Sequence, residues 1–273
     1  MKFKEYSEKI AFITGGSSGT GLACAELLAA RGAGVVIFAR GLQQLERALK
    51  EIERNRVSEK QRFLAVQLDV SQREQAENLL SKTVVGFGSP DILINSAGVS
   101  SPQKFEDITY TKFDEIMRIN LNGTWNTISI LLPYMKERGG SIINVSSVAG
   151  YVGIFGMTAY SASKFAVIGF SEALRSELKR FNISVSVLCP PDVDTPMLER
   201  AGKIKPEETR AISSAASIMK PLDVARDVID GMGRGQFLIL PGAATKYTYF
   251  MKRLFPGLVE SLIDSKVRKA AQR

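Results

Sequence analysis

Tyr160 and Lys164, in the stretch TAYSASKFAVIGF, stand four residues apart. On a helix those positions share a face, so an ammonium would lie beneath a phenol. Free tyrosine titrates at about pH 10, and a neighbouring cation favours its phenolate. The pair would then serve as proton donor and acceptor. Ser147 closes the stretch NVSS, thirteen residues before Tyr160. A hydroxyl there could hold a carbonyl oxygen while the phenol protonates it. Asn120, in MRINLNG, can fix a helix bend or hold a water leading to Lys164.

A second group of residues suits phosphate rather than proton transfer. Thr14–Gly21 reads TGGSSGTG. Within it, GGSSG matches both a nucleophile elbow and a glycine-rich phosphate cradle. The first would make Ser17 a nucleophile; the second would make Ser17 and Ser18 donors to a phosphate. Gly15 permits a turn with positive φ, while Gly19 and Gly21 let backbone approach phosphates and let helix pack on strand. The helix that follows would offer free N–H groups and its positive dipole end. The chain contains no histidine. That removes Ser-His-Asp and Cys-His catalysis and nearly all zinc chemistry, leaving a lysine-assisted serine hydrolase formally open. No metal site is expected. Arg40 ends the second apolar run, where NAD-binding folds place an acid for the ribose 2′-hydroxyl. A guanidinium there would pair with a 2′-phosphate, which favours NADP(H) as cofactor.

These residues need a scaffold, and the pattern of the chain supplies one. Apolar runs alternate with amphipathic stretches. Strands are expected at KIAFIT, GVVIFA, RFLAVQL, DILIN, SIINVS, ISVSVLC and QFLIL. Helices are expected at 20–31, 42–55, 71–85 with Ser71 as N-cap, 109–136 interrupted near Pro133, and 160–179. Near-continuous apolar strands in βα units predict an α/β fold: a doubly wound, Rossmann-type parallel sheet with helices on both faces. Ligands of such sheets sit beyond the carboxyl ends of the strands. Thr14-Gly15, Arg40, Asp69, Asn95, Ser147 and Pro190 all fall directly after predicted strands.

Of the 273 residues, 45% are hydrophobic, enough for a single soluble α/β domain, and no linker or repeat divides them. The opening MKFKEYSEKIAFITGG lacks the long apolar core and cleavage site of a signal peptide. No run approaches the roughly 18 apolar residues of a spanning helix. Cys24 and Cys189 are too few for a disulfide framework, which suits a reducing compartment. The expectation is a cytoplasmic protein. The formal charge of +8 is concentrated late: residues 246–273 hold seven Lys and Arg against Glu260 and Asp264. There, Leu258, Val259, Leu262, Ile263 and Val267 share a helical face. Packing on the body or a second subunit is expected for it, with peripheral contact to an anionic membrane as the alternative. No helix-turn-helix, RNA-recognition or zinc-finger signature appears, so nucleic acid is not an expected partner.

Taken together, T-G-x-x-x-G-x-G (Thr14 to Gly21), Asp69-Val70, N-x-A-G (Asn95, Ala97, Gly98), Asn120, Ser147 and Tyr160-x-x-x-Lys164 resemble the short-chain dehydrogenase/reductase family in order and spacing. The resemblance covers nearly the whole chain. It implies one domain, about seven parallel strands, and a homo-oligomer, dimer or tetramer. It implies Asn120, Ser147, Tyr160 and Lys164 as catalytic groups. As cofactor contacts it implies Gly15, Ser17, Ser18, Gly19, Gly21, Arg40, Asp69, Asn95, Ala97, Gly98, Pro190 and Thr195, with Tyr160 and Lys164. The stretches CPPDVDTPM, KPEETRAISS and FGMTAYSASKFA are similar to the branch of that family that reduces the 3-keto group of a long-chain amino ketone with NADPH. That branch commonly has a lysine where this chain has Gln44, and its eukaryotic members carry membrane-embedding segments not visible here.

The expected organisation is a catalytic domain over residues 1–245, with 192–219 as a substrate lid, and a basic amphipathic segment over 246–273. The expected activity is NADP(H)-dependent reduction of a lipid ketone. Alternatives are reduction of a steroid or acyl ketone, or dinucleotide sensing without turnover.

Overall fold

A computed structural model of the chain describes residues 6–213 and 218–272. Residues 214–217 of the expected lid, residues 1–5 and Arg273 therefore lie outside the described residues. Seven strands form one sheet: β1 (Ile10–Thr14), β2 (Gly34–Ala39), β3 (Phe63–Gln67), β4 (Ile92–Asn95), β5 (Gly140–Val145), β6 (Ile183–Leu188) and β7 (Leu238–Ile239). Their order is β3-β2-β1-β4-β5-β6-β7, with every pairing parallel. Strand order reverses between β1 and β4, which opens a crevice beyond their carboxyl ends.

The alternation of side chains along each strand divides the core in two. Ala11, Ile13, Val35 and Ile37 point to one face. There they meet α1 (Gly19–Ala30), α2 (Leu42–Glu53) and α9 (Pro221–Gly233) through Leu28, Leu45 and Val228. Phe12, Val36 and Phe38 point to the other. They meet α3 (Arg73–Phe87), α5 (Gly123–Lys136) and α6 (Thr158–Leu178) through Leu80, Leu131 and Leu174. Both faces are covered, which is why the strands read as unbroken apolar runs.

Three local expectations are corrected. Ser71 does not cap α3, which starts after Gln72. Its amide and hydroxyl instead donate to Asp69 Oδ1 at 2.9 and 2.7 Å, a turn that uses up the serine. Pro133 does not interrupt its helix but lies inside the last turns of α5, where one backbone bond is lost at little expense. The irregularity falls at Arg118–Asn122, a π-helical turn between α4 (Tyr110–Met117) and α5 that points Asn120 inward. The last strand is Leu238–Ile239 alone, held by Cys189 N donating to Ile239 O at 2.9 Å.

Beyond β6 the chain forms α7 (Pro196–Ile204) and α8 (Glu207–Ser213). After β7 come α10 (Gly242–Leu254) and α11 (Pro256–Ala271). Helix α11 packs on α8 and α10, with Lys252 and Glu260 bonded at 2.6 Å across the corner. Among the described residues no helix is long and apolar enough to cross a membrane.

Candidate active site

The crevice at the switch of strand order is a cavity of about 970 Å³. Its first wall is the turn between β1 and α1. Gly15 has φ +66°, and a Cβ there would stand 2.7 Å from Ala97 N and Ser96 O, so only glycine fits. Helix α1 starts at Ser18 without a side-chain cap and without an acid in its first turn. Its first amides are therefore available to an anion. Ser17, Ser18, Gly19, Arg40, Gln44, Asp69, Ala97 and Gly98 line the same side. Arg40 is exposed, and among the described residues its guanidinium has no partner; only its carbonyl is engaged, by Gln67 Nε2 at 2.8 Å. An uncapped helix end, a glycine turn and an unpaired guanidinium fit a dinucleotide carrying several phosphates.

The second wall carries the groups able to donate and accept a proton. Helix α6 presents Tyr160 and Lys164 to the cavity, and the loop after β5 presents Ser147. Ser147 Oγ accepts from Ala149 N at 3.2 Å, and its hydroxyl is hydrogen-bonded to the Tyr160 phenol. Lys164 Nζ donates to Val145 O at 2.8 Å and lies 5.6 Å from the centre of the Tyr160 ring. Burial holds the Lys164 ammonium down at about 8. Burial also pushes Tyr160 up to about 12, against the opposing pull of the Ser147 hydroxyl. The ammonium, bonded to backbone, does not offset that burial. The expectation that Lys164 draws the phenol down is not met in this arrangement; Tyr160 is held protonated instead.

Asn120 stands behind this pair. Its Oδ1 accepts from Val99 N at 2.8 Å, and its Nδ2 donates to Val99 O and to Ser163 Oγ at 3.0 and 2.9 Å. A Cβ on Gly98 would meet Asn120 Oδ1 at 3.2 Å and Lys164 Nζ at 3.6 Å, so both groups border one small space. The π-turn thus fixes the loop after β4 through Asn120.

Two sequence-predicted contacts are placed elsewhere. Asn95 is buried and does not line the cavity. It donates to Asn144 Oδ1 at 2.9 Å and accepts from Thr127 Oγ1 at 2.6 Å, while Asn144 donates to Ser171 Oγ at 2.8 Å. That network ties β4 and β5 to α5 and α6. Gly21 likewise stays off the cavity: a Cβ there would strike Gly15 O at 2.4 Å, so its place is to let α1 close on the turn. Pro190 and Thr195 do line the cavity. Pro190 O accepts from Val148 N at 3.0 Å, and Thr195 caps α7 by accepting from Leu198 N.

Of the outer wall, Met197 and Leu198 fall within the stretch expected as a substrate lid, and the remainder was not legible as part of the site. Val152, Ile154, Met157, Met197 and Leu198 line it from the middle of the chain. Leu258, Val259, Leu262 and Ile263 line it from α11, with Leu258 and Leu262 about half exposed at the mouth. The apolar face of α11 therefore borders the cavity, with none of its residues fully buried against the body. Ser100 also lines the cavity and has a buried hydroxyl without a partner among the described residues.

A parallel α/β sheet with a glycine turn after β1 and a Tyr-Lys pair on the helix after β5 is the plan of a nicotinamide-linked oxidoreductase. Residues 9–205 match the family model for short chain dehydrogenases, and the chain belongs to that family. It is 42% identical over 227 residues to the 3-ketodihydrosphingosine reductase of Mus musculus, covering 82% of this chain and 68% of that one. It is 33% identical over 222 residues to the 3-oxoacyl-acyl-carrier-protein reductase FabG of Thermotoga maritima, covering 81% and 89%. A solved short chain dehydrogenase from Mycobacterium paratuberculosis bound to NAD matches with a TM-score of 0.74 at 30% identity, covering 84% and 92%.

Proposed function

We propose that the protein uses NADPH to reduce the ketone of a long-chain lipid, and that this ketone is 3-ketosphinganine, giving sphinganine. The observation that carries the reading is the sharing of one cavity: Ser147, Tyr160 and Lys164 open on the same space as the apolar wall from α7 and α11. The similarity to the mouse reductase supports the same substrate.

When bound, the nicotinamide cofactor supplies a hydride for the carbonyl carbon. The remaining steps belong to the chain. The amides at the start of α1, with Ser17 and Ser18, hold the pyrophosphate, and Arg40 pairs with the 2′-phosphate. Ser147 donates its O–H to the substrate carbonyl oxygen, drawing negative charge onto that atom. Tyr160, kept protonated by burial, gives its proton to the same oxygen as the carbon becomes tetrahedral. Lys164 stabilises the phenolate left behind, and a water held by Asn120 Oδ1 returns a proton toward it. Carbonyl reduction needs an acid, which suits a tyrosine that burial keeps neutral.

A second reading follows from the bacterial relative: a ketone on an acyl chain. Consumption of NADPH by the purified protein, followed by absorbance with 3-ketosphinganine, a 3-oxoacyl thioester and a steroid ketone, separates the two. Tyr160→Phe should cost about 100-fold or more in rate on the preferred ketone. Retention of most activity by that variant would overturn the mechanism.

A further inference from the structure

Seven charged side chains line the cavity, and only two are carboxylates, Asp69 and Asp192. Asp69 lies beyond β3 on the cofactor side and is already bonded through Oδ1 to Ser71. Asp192 lies beyond β6, beside the strand that carries Ser147. Its loop is fixed to the Ser147 segment, because Pro190 O accepts from Val148 N at 3.0 Å, and Asp192 O accepts from Met219 N at 2.9 Å. Asp192 Oδ2 pairs with the buried Lys205 ammonium at 3.3 Å, which also donates to Ser213 Oγ at 3.3 Å. Among the described residues Oδ1 has no partner, and about a third of the side chain remains accessible, 35%.

We infer that Asp192 is a specificity-determining residue that receives a primary ammonium on the carbon next to the substrate's carbonyl. This deepens the reading of the protein as a reductase of a long-chain amino ketone and rests on it. An amine on the carbon next to a ketone is two bonds from the reacting carbon, so it must lie beside whatever groups hold the oxygen. Ser147 and Tyr160 hold that oxygen in the proposed mechanism, and Asp192 is the carboxylate on their side of the cavity. Its field is felt at Tyr160, where it helps to raise the phenol. A carboxylate has two oxygens: Lys205 takes one and orients the group, and the other accepts the ammonium. Apart from Asp69, already bonded on the cofactor side, and Lys205, the remaining non-catalytic charges lining the cavity, Arg40, Arg200 and Lys266, are cations and would repel it. A neutral lipid ketone leaves Oδ1 desolvated and unpaired, which selects against it.

The test compares two ketones of equal chain length, 3-ketosphinganine and the same chain with hydrogen in place of the amine, by NADPH consumption. In Asp192→Asn the ratio of kcat/KM, amino over neutral ketone, should fall about 10- to 100-fold, the range for losing a hydrogen bond to a charged group. Asp192→Glu should restore most of the ratio. A ratio within twofold of wild type in Asp192→Asn, or no rescue by glutamate, overturns the inference. Should the asparagine variant fail to fold by circular dichroism, N-acetyl-3-ketosphinganine replaces it. The wild type must then lose a similar factor on the acetylated ketone, and equal turnover overturns the assignment. If the wild type reduces neither ketone, the proposed function falls separately. Asp192 is then read by thermal shift with dodecylamine against dodecanol, where an amine-specific shift must disappear in Asp192→Asn; its persistence overturns the inference.

Discussion

Raising the pH from 7 to 9 should switch off the proposed reduction at Lys164. With its ammonium held down at about 8, the lysine is about 90% charged at pH 7 and about 10% charged at pH 9. Tyr160 stands at about 12 and stays protonated throughout, so the decline is not its own titration. If the phenolate left after proton transfer needs the ammonium, kcat/KM falls about tenfold across that interval, with a midpoint near the lysine value. The assay is NADPH consumption from pH 6 to 10 with a neutral long-chain ketone, so that only the protein titrates. Lys164→Arg, whose guanidinium stays charged, should remove the midpoint at a lower absolute rate. Stability carries the matching sign. The native value lies below the ordinary lysine value of 10.5, so below about 8 both states are charged and the burial penalty is fully present. Between those values the native state sheds the proton and the unfolded chain keeps it, so stability from this group climbs with pH. A profile flat to pH 10, or an unchanged midpoint in Lys164→Arg, would refute the assignment of the charge requirement to Lys164.

Arg40→Ala should raise KM for NADPH about 10- to 100-fold and leave KM for NADH within about twofold, since only the 2′-phosphate contact is lost; steady-state titration of both cofactors checks it. Gly15→Ala should lower stability by about 2 kcal/mol or more, because a φ of +66° and a Cβ 2.7 Å from backbone leave it no room. For a chain of this size that is a melting temperature lower by about 4–8 °C in calorimetry. Leu262→Ala, at the mouth of the cavity, should raise KM about fivefold for an 18-carbon ketone and leave a six-carbon ketone unaffected, a contrast read in a chain-length series.

The order of layers was legible because burial on both faces writes itself into each strand. Phe12 and Ile13 look alike in sequence, and the pleat alone sends them to different cores. The Tyr160–Lys164 pair proposed for catalysis was legible because i, i+4 spacing on α6 is local. Asn95 was not, for the opposite reason. Its partner across the sheet is Asn144, 49 residues away, and no local pattern shows that the two side chains pair in the β4–β5 register. The π-turn at Arg118–Asn122 was hidden behind a more conspicuous proline at 133. The wall from α11 showed only as an amphipathic face, and amphipathicity names no partner. Asp192 stood in a quoted stretch, CPPDVDTPM, yet a lone acid in a loop has no meaning until the fold sets it beside Tyr160.

The wall formed by α11 also sets an order of assembly on the ribosome. Every residue proposed to touch the reacting oxygen has been synthesised by residue 164, and the cofactor side of the cavity by Thr195. The helix that completes the lipid side begins only at Pro256. As the chain is made, the means of reaction emerges before the means of retaining a substrate. The apolar wall from α11 thus lies outside the stretch, 9–205, that marks the family, and any selectivity proposed for a lipid tail would rest on a part of the chain that the family pattern does not specify.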